Sequence, residues 1–227
     1  MKAVPPRRGS PAVRTVLWPT RAQFRVRGPR LAVGLAIIAV GVALMVRARL
    51  GLAPYEVLNE GLAERTPLTI GQASIAIGLL VLLAWIPLHQ RPGIGTLANV
   101  IGGGLMIDAW LLVIPAPEAL LPRIAMMVGG TVMIGLGVGL YLGAGLGAGP
   151  RDGVMTGLAA RGYRVWAVRL TLEVSALALG WALGGTVGSG TVLFAFAVPF
   201  LAHWSLARWA VPDGDPPRVG PPPTTRG

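Results

Sequence analysis

The chain has 227 residues, of which 53% are hydrophobic and only 13% are charged. Ordinary soluble domains carry about 25% charged residues, so this composition excludes a typical soluble domain and indicates a membrane protein. Cysteine is absent, which excludes disulfide frameworks, thiolate nucleophiles and cysteine-ligated metals. The net charge of +11 points to an anionic partner, either lipid or nucleic acid.

The positive charge is concentrated before the first apolar segment. Eight cations and no acid precede that segment: Lys2, Arg7, Arg8, Arg14, Arg21, Arg25, Arg27 and Arg30. A basic stretch beside a spanning helix is explained better by cytoplasmic retention and contact with anionic lipids than by nucleic-acid binding. We therefore predict a disordered cytoplasmic tail over residues 1–30, since this stretch offers no apolar face to bury.

Six apolar segments follow this tail. A helix needs roughly 20 residues to cross a hydrocarbon core about 30 Å thick. The segments near that length are residues 31–46, 70–88, 94–114, 124–144, 165–183 and 191–207. We predict that each forms a transmembrane helix, and that the Pro-rich segment 212–227 is a second disordered tail.

An internal repeat organises these segments. Residues 50–56, with the sequence LGLAPYE, return as LGAGPRD at residues 146–152, an offset of 96 positions (150 − 54). Self-similarity at this length in so apolar a chain predicts two copies of one membrane-embedded unit. We assign the first copy to residues 31–114 and the second to residues 124–207.

The predicted fold is an all-α membrane protein of six transmembrane helices in two inverted three-helix repeats. Three spans per copy is an odd number, so the second copy must enter the bilayer from the opposite side. The equivalent loops differ in charge as inversion requires: Glu56, Glu60 and Glu64 in the first, Arg151, Arg161 and Arg164 in the second. Because Lys and Arg accumulate on the cytoplasmic side, we expect both termini in the cytoplasm of a bacterial plasma membrane.

A proline interrupts the helical pattern after the first span of each copy. Pro54 and Pro150 follow glycine-rich segments and precede an acid by two positions. Proline suits the first turn of a helix, so we predict short broken helices over residues 55–63 and 151–160. They either line a substrate cavity or lie at the membrane interface. The candidate binding residues are Pro54, Tyr55, Glu56, Gly149, Pro150, Arg151 and Asp152.

Arg169 and Glu173 add two further candidates in the fifth span. They are four residues apart, so they share a helical face and can neutralise each other. Ionisable residues within a membrane are candidates for function, although a self-paired couple at the bilayer edge can also simply orient its helix. We include both residues in the predicted substrate site and leave the two interpretations open.

Glycine recurs at every fourth position from residue 135 to residue 147. Gly135, Gly139, Gly143 and Gly147 would lie on one helical face, and small residues let membrane helices approach closely. We predict that these four glycines pack against another helix. The glycine-rich segment at residues 143–147 does not predict a nucleotide loop, because no strand or βαβ unit accompanies it.

The residues needed for catalysis are scarce. The chain has no cysteine and two histidines, His89 and His203, and its acids are scattered. Metal-dependent or nucleophilic chemistry needs clustered ligands or an activated nucleophile. We therefore predict no enzyme activity, no catalytic residue, no metal site and no cofactor.

Several segments resemble one known family. The sequences LGAGPRDGVM at residues 146–155 and WAVRLTLEV at residues 166–174 are similar to bacterial YczE-type, YitT-related integral membrane proteins. The segments 94–96 and 106–108 fit as well, and the resemblance covers about residues 31–205. It implies a multi-pass plasma-membrane protein, and the family has no settled biochemical activity to transfer.

Two functions remain open at this point. The first is a small permease for an unknown solute, in which Arg151 and the amides after Pro150 meet an anionic group. The first copy has Tyr55 and Glu56 where the second has Arg151 and Asp152, so a role that needs this arginine is present only once. The alternative is a non-transporting scaffold that binds a partner protein or a second copy of the chain.

Overall fold

The structure is a computed structural model that describes residues 15–209. Within these residues it contains ten α-helices, one π-helical turn and no strand, which confirms the all-α prediction. The helices are α1 (Arg21–Ala48), α2 (Pro54–Arg65), α3 (Ile70–Leu83), α4 (Trp85–Leu88), α5 (Ile94–Leu97), α6 (Gly103–Val113), α7 (Leu120–Gly143), α8 (Pro150–Ala159), α9 (Val165–Ala182) and α10 (Ser189–Trp209). The π-helical turn, Ala98–Gly102, joins α5 to α6.

Six helical segments in this part of the chain are long and apolar enough to cross a membrane. They are α1, α3 with α4, α5 through α6, α7, α9 and α10. These segments match the six predicted spans in number and order. The two proline-led helices, α2 and α8, lie between the first and second spans and between the fourth and fifth.

The largest difference from the prediction lies at the N-terminus. Helix α1 begins at Arg21, so the predicted disorder is wrong for residues 21–30. Thr20 forms a capping box with Gln23, which satisfies amides of the first turn. Arg27 is buried and donates to the carbonyl of Ala144 at 3.2 Å, so its charge has a partner inside the protein. Residues 1–14 and the predicted disordered segment 212–227 lie outside the described residues.

Helices α1 and α7 cross as an antiparallel pair at the centre of the molecule. Gly34 on α1 packs against Gly137 on α7, and Gly41 packs against Gly130. A Cβ at Gly137 would lie 2.8 Å from the carbonyl oxygen of Gly34, which is too close for any side chain. The backbones therefore touch directly, as small residues permit in membrane helices.

The four glycines predicted from the sequence have three different environments. Gly135 packs against Leu201 of α10, Gly139 lies on the same face of α7 and also contacts α10, and Gly143 is the buried last residue of α7. The prediction is wrong for Gly147, because the helix ends four residues earlier and Gly147 has a φ of +138° in the following turn. Only glycine adopts that conformation readily.

Two pairs of arginines fasten helix ends from opposite halves of the chain. Each donates to a carbonyl at the C-terminal end of a helix: Arg27 to Ala144, Arg123 to Ala48, Arg65 to Leu183 and Arg161 to Pro87. Cations at a helix C-terminus satisfy unpaired carbonyls and favour the helix dipole. A shift of 96 positions converts the Arg27–Ala144 contact into the Arg123–Ala48 contact, and the Arg65–Leu183 contact into the Arg161–Pro87 contact.

Helix α2 packs against α9, which belongs to the second half of the chain. A Cβ on Gly61 would lie 2.5 Å from the carbonyl oxygen of Gly180, so the two helices are in direct contact. The Glu60 carboxylate accepts a hydrogen bond from the N–H of Thr186 just beyond α9. The first proline-led helix is thus held mainly by the opposite half.

Helix α8 is attached to the first half of the chain through Trp85. The indole N–H donates to the carbonyl of Pro150 at 2.8 Å, and the ring fills space where a Cβ on Gly153 would overlap it. Trp181, 96 positions further along, is 70% exposed, whereas Trp85 is 3% exposed. Val57 stands at the position equivalent to Gly153 and leaves no such space. Equivalent tryptophans therefore lie in different environments.

We predict that Gly137→Leu lowers the free energy of unfolding by about 1–3 kcal/mol or more, because the new side chain must separate two backbones in contact. Gly129→Leu is the matched control, since a Cβ at Gly129 meets no atom within 4 Å. The measurement is the unfolding midpoint of the purified protein in detergent. Equal effects of the two substitutions would contradict the glycine-mediated crossing.

We predict that Trp85→Ala costs about 3–5 kcal/mol, because it removes a buried indole and leaves a cavity beside α8. Trp181→Ala is the control and should change the free energy of unfolding by less than about 1 kcal/mol. Chemical denaturation in mixed micelles would compare the two variants. A larger loss for Trp181→Ala would contradict the different packing of these equivalent residues.

Candidate functional site

A cavity of about 350 Å³ lies between the two halves of the chain. Ligand sites in proteins measure about 300–1,000 Å³, so the space is sufficient for a small molecule. Its wall is built from α1, α2, α3, the π-helical turn, α6, α7, α8, α9 and α10. The first turns of both proline-led helices reach this cavity.

The cavity brings together most of the residues that the sequence singles out. Eight of the nine predicted binding residues line it: Tyr55, Glu56, Gly149, Pro150, Arg151, Asp152, Arg169 and Glu173. Pro54 is the exception, because it is buried at the start of α2 and is not part of the wall. Segments 96 positions apart in the sequence therefore meet at one place.

Proline sets the position of these side chains. Pro54 and Pro150 each occupy the first turn of their helix, after a residue in extended conformation that makes no side-chain cap. Proline lacks an amide hydrogen, so its place in the first turn leaves no donor unsatisfied. Glu56 and Asp152 then fall in the first turn, where the positive end of the helix dipole favours a negative charge.

Arg151 and Tyr55 join the two proline-led helices across the cavity. The guanidinium carbon of Arg151 lies 4.6 Å from the centre of the Tyr55 ring, within the range of a cation–π interaction. These two residues are 96 positions apart, which is the offset at which the two similar sequence segments recur. The cavity thus lies where two residues at corresponding positions of the similar segments, Tyr55 and Arg151, are in contact.

Glu56 is half-buried at the polar end of the cavity. Its carboxylate accepts a hydrogen bond of 2.8 Å from the side-chain amide of Asn59. Burial raises the pKa of the Glu56 carboxyl above its usual range, while the Asn59 hydrogen bond and the charge of Arg151 act in the opposite direction. Glu56 is therefore a group that can take up a proton more readily than an exposed glutamate.

Arg169 and Glu173 form the expected pair on α9. The Nε atom of Arg169 lies 3.0 Å from Oε1 of Glu173, and both side chains line the cavity. Their place in the cavity wall is consistent with a role in binding. Because the two charges cancel, the pair contributes dipoles and hydrogen-bonding groups rather than net charge.

Four polar residues of the site were not predicted from the sequence: Asn59, Ser74, Asn99 and Tyr141. Asn59 lies one turn after Glu56, and its spacing of three residues could have placed it on the same face. Asn99 is a polar residue in an apolar span, which is a signal in itself, and it lies in the π-helical turn. Tyr141 comes from α7, and only the folded chain places it near α2 and α8.

The arrangement has the properties of a binding site. Charged and amide groups lie around the first turns of α2 and α8, and most of the other wall residues are apolar side chains of α1, α3, α6, α7 and α10. Among residues 15–209, no group of three or more His, Cys, Asp or Glu side chains is placed to hold a metal ion. The groups present can hold a small molecule by ionic, hydrogen-bonding and apolar contacts.

Comparisons with known proteins identify the family. Residues 27–206 match the model of a family of unknown function, DUF6198. An uncharacterized protein of Haemophilus influenzae is 41% identical over 193 residues, which are 85% of this chain and 87% of the relative. The uncharacterized membrane protein YczE of Bacillus subtilis is 38% identical over 177 residues, 76% of this chain and 82% of the relative.

A more distant relative is the uncharacterized protein YyaS of Bacillus subtilis, which is 27% identical over 176 residues, 75% of this chain and 88% of the relative. No solved structure shows significant similarity to the chain. The family match covers most of the chain, and the six apolar helices agree with the membrane protein among its relatives. The chain is therefore a multi-pass membrane protein that belongs to the YczE-type family, DUF6198.

Proposed function

We propose that the protein is a small permease that binds a solute in the central cavity and exposes it alternately to the two sides of the membrane. The observation that carries this proposal is the cavity itself, about 350 Å³ in volume and lined by the first turns of both proline-led helices. Broken helices that meet near the centre of the protein form the substrate site in many transporters. No catalytic step is part of the proposal.

An inverted repeat of residues 31–114 and 124–207 is part of this proposal. The exchanged arginine contacts support it, because a shift of 96 positions maps Arg27–Ala144 onto Arg123–Ala48. The antiparallel crossing of α1 and α7 supports it as well, since the same shift exchanges its two glycine pairs. A two-fold axis in the membrane plane would produce both relations.

The proline-led helices are the proposed gates. Helix α2 is held on α9 by Gly61 and by Arg65, and α8 is held on α4 by Trp85 and by Arg161. The α2–α9 contact and the α8–α4 contact differ in packing, although the segments that form them are related in sequence. In an inverted repeat, an exchange of the two packing arrangements between the copies would open the cavity first to one side and then to the other.

We further propose a bacterial plasma membrane as the location, with both termini in the cytoplasm and the basic N-terminal segment against anionic lipid. The distribution of arginines in the loops supports this orientation. The anionic solute predicted from Arg151 has less support, because that arginine already lies over the Tyr55 ring and two carboxylates share its surroundings.

The first test concerns inversion. Glu64→Cys and Ala160→Cys alter exposed, equivalent positions at the ends of α2 and α8, and the natural chain has no cysteine to cause background labelling. With a membrane-impermeant maleimide, we expect Glu64→Cys to react in intact cells and Ala160→Cys only after permeabilisation. Reaction of both from the same side would exclude the inverted repeat.

The second test concerns the cavity. We expect at least one solute in a broad metabolite panel to raise the unfolding temperature of the purified protein and to cross reconstituted vesicles. Val138→Trp, which fills the cavity, should abolish both effects, whereas Val132→Trp on the exposed face of α7 should abolish neither. If no solute acts and crosslinking recovers a stoichiometric protein partner, the scaffold function is correct instead.

A further inference from the structure

We propose that the solute of this cavity is a monovalent organic cation, with its positive charge at the first turns of α2 and α8 and an apolar body against α1, α7 and α10. This inference rests on the proposed function and specifies the class of solute. It differs from the anionic solute that Arg151 suggests when the sequence is considered alone.

The charges that line the cavity do not cancel. Three carboxylates, on Glu56, Asp152 and Glu173, face two guanidinium groups, on Arg151 and Arg169. Arg169 and Glu173 neutralise each other at 3.0 Å. Arg151 is thus left with two carboxylates, so the ionised cavity has a net charge of −1. The three carboxylates are half-buried whereas Arg151 and Arg169 are exposed, so the desolvation cost falls mainly on the negative charges. A solute with one positive charge offsets this cost and makes the formal charge of the cavity zero.

Aromatic rings add a second feature suited to a cation. The Tyr55 ring lines the cavity and holds the guanidinium of Arg151 over one face, so an aromatic ring in this wall already interacts with a positive charge. Tyr141 contributes another ring to the same wall. An organic cation can therefore use cation–π contacts as well as the carboxylates.

The remainder of the wall favours a solute with an apolar part. The apolar side chains of the wall include Ile38, Val42, Ile134, Val138, Phe194 and Val198. A fully hydrated ion would lose water at this surface without compensation, whereas an apolar group gains about 25 cal/mol for each Å² that it buries. An amphipathic cation satisfies both ends of the cavity.

A proton is the natural competitor of such a cation. Burial raises the pKa of the Glu56 carboxyl, so this group takes up a proton at a higher pH than an exposed glutamate does. The charged and titratable groups around it are Tyr55 on its own helix, Arg151 and Asp152 on α8, Arg169 and Glu173 on α9, and Tyr141 on α7. Because protonation removes the negative charge that the cation needs, affinity for the cation should fall as the pH falls through the raised pKa.

Calorimetry on the purified full chain in detergent tests this inference. The probes are benzyltrimethylammonium, its neutral analogue neopentylbenzene and the anion phenylacetate. We expect only the cation to bind, and Glu56→Gln or Asp152→Asn to weaken its binding by at least about tenfold. Glu64→Gln is the matched control on α2, because Glu64 is exposed and is not part of the cavity wall, and it should leave binding unchanged.

Each result has a definite consequence. Binding of phenylacetate without binding of the cation would overturn the charge inference and leave the proposed permease intact. Failure of all three probes, together with failure of the metabolite panel, would overturn both. Cation binding that is equally strong in Glu56→Gln, Asp152→Asn and Glu64→Gln would place the probe elsewhere and would also overturn the inference. Unfolding temperatures measured without probe show whether each variant is folded, and two cavity variants keep the test available if one is not.

Discussion

The direct backbone contact between α1 and α7 is the constraint on which the rest of the structure depends. Two glycine pairs let these antiparallel helices touch without intervening side chains. Their close approach brings the C-terminal end of each helix beside the N-terminal part of the other. Arg27 and Arg123 can therefore reach across to Ala144 and Ala48. The central pair then fixes the positions from which both proline-led helices depart.

Hydrogen bonds hold the helix ends together, because burial of apolar side chains gives little driving force for helix association in lipid. Lipid tails are as apolar as leucine, so helix association in a membrane relies on close packing and on hydrogen bonds between helices. The last carbonyls of each helix lack partners within the helix. Arg65 and Arg161 supply such partners at the ends of α9 and α4, and in doing so they tie α2 and α8 to the opposite half.

Much of the candidate site follows from local rules in the sequence. Pro54 and Pro150 predict the starts of two new helices. The acids two positions later fall in the first turns, because a helical turn contains 3.6 residues. Arg169 and Glu173 are paired by their spacing. Local rules fail at the first span. Arg27 would carry a cost in an isolated helix, but it is satisfied by the carbonyl of Ala144, 117 residues away in the chain.

The sequence by itself determined the membrane class, the six apolar spans, the proline-led breaks and the offset of 96 positions. Each of these can be read from composition, from the length of apolar segments, from single prolines or from comparison of the sequence with itself. Only the tertiary structure decided which glycines touch, that Trp85 is buried while Trp181 is exposed, and that Tyr55 meets Arg151. It also decided the charge balance of the cavity. These properties depend on contacts between segments far apart in the chain, and such contacts are set by packing in three dimensions rather than by local pattern.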